Sequence, residues 1–200
     1  MVPDQTASPF QLGPVAEIGI ILALVLLNGV FAGAEIATLT LRKGQVDRLL
    51  QKAPRRARAI VKLRTELETF LATVQVGITV VGASAAAFGG STLTPALTGV
   101  IAWVPFLAPV AADVAFVAVV ALISYLSLVL GELVPKSIAL RHPEAYALLA
   151  AGPLLLLSSL ARPLVWLLTK SSNVVLRPFG DRATFSESRL SSDELRQLVE

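Results

Sequence analysis

Cysteine is absent from the 200-residue chain, and histidine occurs once, as His142. The first absence excludes disulfides and thiolate metal sites. The second excludes the usual histidine-cluster zinc centre. Charge is scarce too, at 16% of residues, where an ordinary soluble domain carries about 25%. No nucleophile–base pair or histidine–metal set is present, so an enzyme is not expected. A sequence pI of 9.6 would suit a nucleic-acid partner. The lysines and arginines, however, sit beside hydrophobic runs rather than among exposed aromatics, and no nucleic-acid role is expected.

Long stretches lack charge almost entirely. Between Ile18 and Leu41 the one ionisable side chain is Glu35, and between Thr69 and Ser137 the charged ones are Asp113, Glu132 and Lys136. Apolar residues make up 54% of the chain, and its mean hydropathy is +0.72. A helix crosses a ~30 Å hydrocarbon core with roughly 20 mainly apolar residues. Three runs meet that length, at about Val15 to Leu41, Leu67 to Gly90 and Ala108 to Val134. The stretch before them has neither the basic start nor the small-residue cleavage site of a signal peptide, so the first run reads as a retained span. A Gly/Ser/Thr/Pro-rich link from Gly89 to Pro95 and a stretch around Trp103 join the second and third runs. Trp103 suits an interfacial anchor, and Asp113 an interfacial position.

Basic residues are confined to two regions. None precedes Arg42, nine lie from Arg42 to Arg64, none lies from Thr65 to Pro135, and eight follow from Lys136. Excess lysine and arginine marks the cytoplasmic side of a membrane. The sequence therefore predicts an all-α membrane protein of three transmembrane helices, N-terminus outside and C-terminus inside. Residues 1–14 form an extracytoplasmic segment and residues 15–180 the transmembrane domain. Within it, residues 42–64 read as basic cytoplasmic amphipathic helices broken near Pro54, with Leu49, Leu50, Ile60, Val61 and Leu63 toward lipid. Residues 144–176 are apolar enough to span but are cut at Gly152-Pro153 and Arg162-Pro163. They read first as two short inner-leaflet helices of re-entrant type, because a crossing would put the basic tail outside, with a fourth span as the alternative. Residues 181–200 read as the start of a cytoplasmic helical bundle, N-capped near Ser192.

Ionisable groups in a membrane are functional candidates, since each costs roughly 2.5–3.5 kcal/mol or more at the bilayer centre. Glu132 and Lys136 stand in Gly131-Glu132-Leu133-Val134-Pro135-Lys136. Pro135 has no N–H, so the Gly131 carbonyl loses its helical partner beside a carboxylate. Hard cations take such oxygen ligands. A proline-kinked helix end with Glu132 and Lys136 paired at i, i+4 reads equally well. Glu35 and Asn28 lie seven residues apart on the first span, beside a small-residue stripe of Gly29, Gly33 and Ala37. Glu35 reads first as a buried hydrogen-bond partner that locks the bundle, and second as lining for a cation path. Thr73, Gly77 and Ser84 fall near one face of the second span, whose hydroxyls either bond across helices or ligate a dehydrated cation.

Three segments carry a resemblance: Asn28-Gly29-Val30-Phe31-Ala32-Gly33-Ala34-Glu35-Ile36-Ala37, Thr73-Val74-Gln75-Val76-Gly77, and Gly131-Glu132-Leu133-Val134-Pro135-Lys136-Ser137. In order and at fitting separations, they resemble the transmembrane domain of the CNNM/CorC transporters, whose bacterial members are often labelled hemolysin-like. The resemblance covers residues 15–180. It implies a homodimer of three-span subunits in the cell (inner) membrane, followed by cytoplasmic CBS domains. It implies export or transport of Mg²⁺ coupled to Na⁺, with no resident cofactor, and places Glu132 and the Gly131 carbonyl at the ion site with Pro135 and Lys136 completing the motif. Where Mg²⁺-binding members have serines, this chain has Ala32 and Ala34. Where they have asparagines, it has Ile78, Thr79 and Gly82. Thr40, Thr79 and Ser84 are the candidate replacement oxygen donors. This asparagine-poor pattern resembles a branch linked with polyamine export, so a polyamine exporter on the same scaffold is the alternative. A membrane anchor or sensor for a cytoplasmic domain is the third reading.

Overall fold

Proline sets where several of these helices begin. In the computed structural model, which describes residues 13–177, helix α1 runs Pro14–Thr40, α2 Lys43–Lys52 and α3 Pro54–Thr65. Helix α4 runs Leu67–Ile101, α5 Ala111–Leu128, α6 Val134–Arg141 and α7 Pro143–Leu176. A 3₁₀ turn at Ala108–Val110 leads into α5, and a π turn at Val129–Leu133 joins α5 to α6. Pro14, Pro54 and Pro143 each occupy a first turn, where a missing N–H and a fixed φ cost nothing. No strand occurs among the described residues. The expected N-terminal segment, all but its last two residues, and the expected bundle start at 181–200 lie outside the described residues.

Among the described residues, four helical stretches are long and apolar enough to cross a membrane: Pro14–Thr40, Leu67–Ile101, Ala108–Arg141 and Pro143–Leu176. The first three answer to the expected spans, and the fourth differs from expectation. Instead of two short pieces, α7 is one helix that runs through Pro153 and Pro163. Each proline removes one hydrogen bond, whereas a chain break in apolar surroundings would strand many more backbone groups. The second span is also longer than expected. The Gly/Ser/Thr/Pro stretch is helical to Ile101, with Pro95 inside it. Ser91 and Thr92 hydroxyls donate to the Phe88 carbonyl at 2.8 and 2.9 Å, and Thr98 to the Thr94 carbonyl at 2.8 Å. Those bonds satisfy the hydroxyls within the helix itself.

The described residues divide into two compact units, one of residues 13–32 and 78–135 and the other of residues 33–77 and 136–177. In the first, Ile21 and Val25 of α1, Ala85 of α4, and Val119 and Ile123 of α5 form a buried cluster. Gly89 admits it, because a Cβ there would lie 2.1 Å from Ile123 Cδ1. In the second unit α3 packs on both α2 and α7. Ala57, Ile60 and Leu63 of α3 are buried, as are Ala147, Ala150, Ala151, Leu154 and Ser158 of α7. Small residues at three- and four-residue spacing give α7 a flat seat.

That packing corrects the expected lipid-facing set. Leu49, Ile60 and Leu63 are buried inside the protein, while Val61 stays exposed. The amphipathic pattern was real, but its apolar face is covered by protein. Two exposed ion pairs fasten α7, Arg48 to Glu144 at 3.1 Å and Arg162 to Glu66 at 2.6 Å; each contributes no more than about 1 kcal/mol. Arg64 adds a helix cap, its guanidinium donating to the carbonyls of Leu41 and, at 3.4 Å, Thr38. A cation there meets the negative end of α1 and its unpaired carbonyls.

Candidate cation site at the π turn

The third apolar stretch changes pitch inside its own motif. At Val129–Leu133 the helix widens by one residue, and the Val134 N–H donates to the Val129 carbonyl five positions back. Pro135 is the local cause. In a regular α-helix its ring would press on the Gly131 carbonyl and offer it no donor. A π turn opens the backbone at that point, as such turns do at functional sites.

The Gly131 carbonyl finds its donor on α1. Asn28, 5% exposed, donates from Nδ2 to it at 3.3 Å. Two glycines let the backbones meet. A Cβ on Gly29 would lie 2.7 Å from Pro135 Cγ and 3.1 Å from the Leu130 oxygen. One on Gly131 would lie 3.0 Å from the Val25 oxygen and 3.2 Å from Asn28 Nδ2.

Asn28 Oδ1 is buried and has no hydrogen-bond partner. Leaving such an atom unpaired costs about 1–3 kcal/mol. Turned over, the same amide would set Oδ1 against the Gly131 oxygen, a pairing that a cation between them would hold. Glu132, the next residue, is partly buried. Among the described residues, the unit holding this group contains Glu17, Asp113 and Glu132 and no lysine or arginine, while all fourteen lysines and arginines belong to the other unit, Lys136 at its edge.

Other expected site residues keep to their own helices or belong to the second unit. Thr40 donates to the Ile36 carbonyl, Thr73 to that of Thr69 and Ser84 to that of Val80, each at 2.7 Å. These bonds occupy the hydroxyl protons and leave oxygen lone pairs. Thr79 and Ser84 are exposed on α4, while Gly77, Pro135 and Lys136 are partly buried. Thr40, Glu35, Thr73, Gly77 and Lys136 belong to the second unit. Among the described residues no group of three or more His, Cys, Asp or Glu side chains is placed to hold a metal. A cation here would rest on amide and carbonyl oxygens with one carboxylate.

Sequence reasoning placed Asn28 with Glu35 and missed its bond to Gly131. An amide in an apolar span must find a polar partner, and that was the available signal. It also missed Tyr146, whose ring lies where a Gly33 side chain would be.

Comparison with known proteins identifies relatives. The family profile described as Cyclin M transmembrane N-terminal domain matches residues 19–200. UPF0053 protein sll0260 of Synechocystis is 41% identical over 184 residues, covering 92% of this chain and 41% of that protein. UPF0053 protein YhdP of Bacillus subtilis is 30% identical over 187 residues, covering 92% and 42%. The polyamine export protein of Haemophilus influenzae is 29% identical over 186 residues, covering 90% and 41%. The chain spans about two fifths of the length of these relatives.

Proposed function

This chain belongs to the cyclin M transmembrane-domain family, and from that premise we propose that it is the membrane part of a secondary transporter that moves Mg²⁺ with Na⁺ as coupling ion. The observation that carries the reading is the Asn28–Gly131 contact. It joins a proline-displaced carbonyl to a buried amide whose oxygen has no protein partner, one residue from Glu132. Two helices that meet at such a contact can open and close around an ion. The oxygen set suits a hard cation.

The topology proposed with it has three crossings, residues 42–64 in the cytoplasm of a cell whose inner membrane holds the protein, and a homodimer followed by CBS domains. Helix α7 supports three crossings rather than four. Its Glu144 meets Arg48 of α2, its Arg162 meets Glu66 just before α4, and the stretch between them packs on α3. Ion pairs at Glu144 and Arg162 tie this part of α7 to the basic elements, which supports a position with them at the inner surface.

A second reading, polyamine export, has its own support. A relative bears that name, and Ala32 and Ala34 are fully buried methyl-bearing positions that supply no side-chain oxygen. Flux in proteoliposomes separates the readings. Glu132→Gln should abolish Mg²⁺ movement while the protein elutes and melts as before. Unchanged Mg²⁺ flux rejects the site, and putrescine flux without Mg²⁺ flux selects the second reading.

A further inference from the structure

The C-terminal turns of α7 carry a second, separate feature. Trp166, Thr169, Lys170, Asn173, Val174 and Arg177 line a groove of about 360 Å³. Their spacing of three, four, seven, eight and eleven from Trp166 places them on one stripe of the helix. Lys170 Nζ stands 4.9 Å from the Trp166 ring centroid. That contact holds an ammonium group at the level of an exposed indole (63%), the side chain that favours the membrane–water boundary. Leu167, Leu168, Val174 and Val175 are exposed alongside. Two cations therefore sit over a groove bordered by apolar side chains.

We propose that this groove binds the headgroup of an anionic phospholipid, its phosphate between Lys170 and Arg177 and its acyl chains along the exposed leucines and valines. Charge complementarity selects this occupant. All fourteen basic residues of the described chain share this unit with five carboxylates, so its surface is strongly positive. The adjoining pocket that shares Trp166 and Thr169 holds Glu66 and Glu68, and Arg162 pairs with Glu66 at 2.6 Å. The acidic neighbour is thus partly balanced from within the protein, and neither of its carboxylates lines the groove itself. The proposal rests on the chain being a membrane protein and not on the cation site, so either can fail alone.

Trp103→Phe leaves Trp166 as the lone indole reporter, since the chain has two tryptophans. Reconstituted in phosphatidylcholine vesicles that contain a minor fraction of brominated phosphatidylglycerol, Trp166 fluorescence should be quenched selectively. Two cations near a lipid surface give roughly thirtyfold preference over brominated phosphatidylcholine, and added salt weakens it. Lys170→Gln with Arg177→Gln should abolish the preference at an unchanged melting temperature. Lys52→Gln with Arg58→Gln, exposed charges elsewhere in the unit, should leave it intact. Equal quenching by both lipids, or selectivity that survives loss of Lys170 and Arg177, overturns the site. An equal loss in the Lys52/Arg58 variant overturns it in favour of diffuse surface charge. Relief of quenching by inorganic phosphate beyond that given by chloride at equal ionic strength overturns the lipid as its ligand.

Discussion

Gly33→Ala tests the packing of the second unit most directly. A Cβ at Gly33 would lie 2.4 Å from both Cζ and Oη of Tyr146 and 2.9 Å from Cε1. Ordinary contact begins near 3.4 Å, so the ring must retreat by about 1 Å. The tyrosine stands in the first turn of α7, beside Ala147, which is buried. A rigid ring with two side-chain torsions has few ways to yield, and overpacking of this kind costs about 1–3 kcal/mol. Thermal unfolding followed by fluorescence-detected size exclusion should show the variant melting early. Tyr146→Ala should be destabilising by itself through lost ring burial. The double variant should then be less damaged than the two single losses together, by about the 1–3 kcal/mol of the relieved clash. Gly82→Ala, where nothing lies within 4 Å of the new Cβ, supplies the contrast. It should be neutral or stabilising by up to about 1 kcal/mol. Strict additivity of the Gly33 and Tyr146 variants, or a Gly33→Ala protein as stable as its parent, would refute the contact.

Asn28→Leu should eliminate cation flux and shift stability by no more than about 1 kcal/mol, because the lost hydrogen bond and the removed unpaired oxygen offset each other; a flux assay beside a melting curve checks both. Arg64→Gln should destabilise by about 1–2 kcal/mol through lost bonds to the α1 carbonyls, read by thermal unfolding. Arg162→Gln should cost under about 1 kcal/mol, since its pair with Glu66 is exposed, and a larger loss would show that this ion pair fixes α7.

The helices of this protein were legible where composition alone decides. Apolar runs located α1, α4 and α5, and Pro54 marked the break between α2 and α3. Helix α7 was misjudged because proline breaks helices in water, where freed carbonyls find solvent, but not among apolar neighbours. The buried Leu49, Ile60 and Leu63 were recognised as an apolar face, yet nothing in a single chain's pattern says whether lipid or protein covers such a face. The site was half visible. Pro135 announced a carbonyl without a donor four residues earlier. Asn28 lies 103 residues away from it in sequence, and local spacing carries no trace of so distant a pairing. Gly29 and Gly33 read as one stripe, whereas they accommodate different neighbours, Pro135 and Tyr146.

The widened turn at Val129–Leu133 also governs helical phase. Ala111, Ala115, Val119 and Ile123 are buried at four-residue steps, but the extra residue turns every later side chain by about 100° from where an uninterrupted α-helix would point it. Deleting one residue between Ile123 and Val134 would rewind that offset and carry Pro135 away from Gly29, even with every motif residue retained. The length of this segment is therefore as constrained as its composition, and insertions or deletions there would be tolerated less well than substitutions.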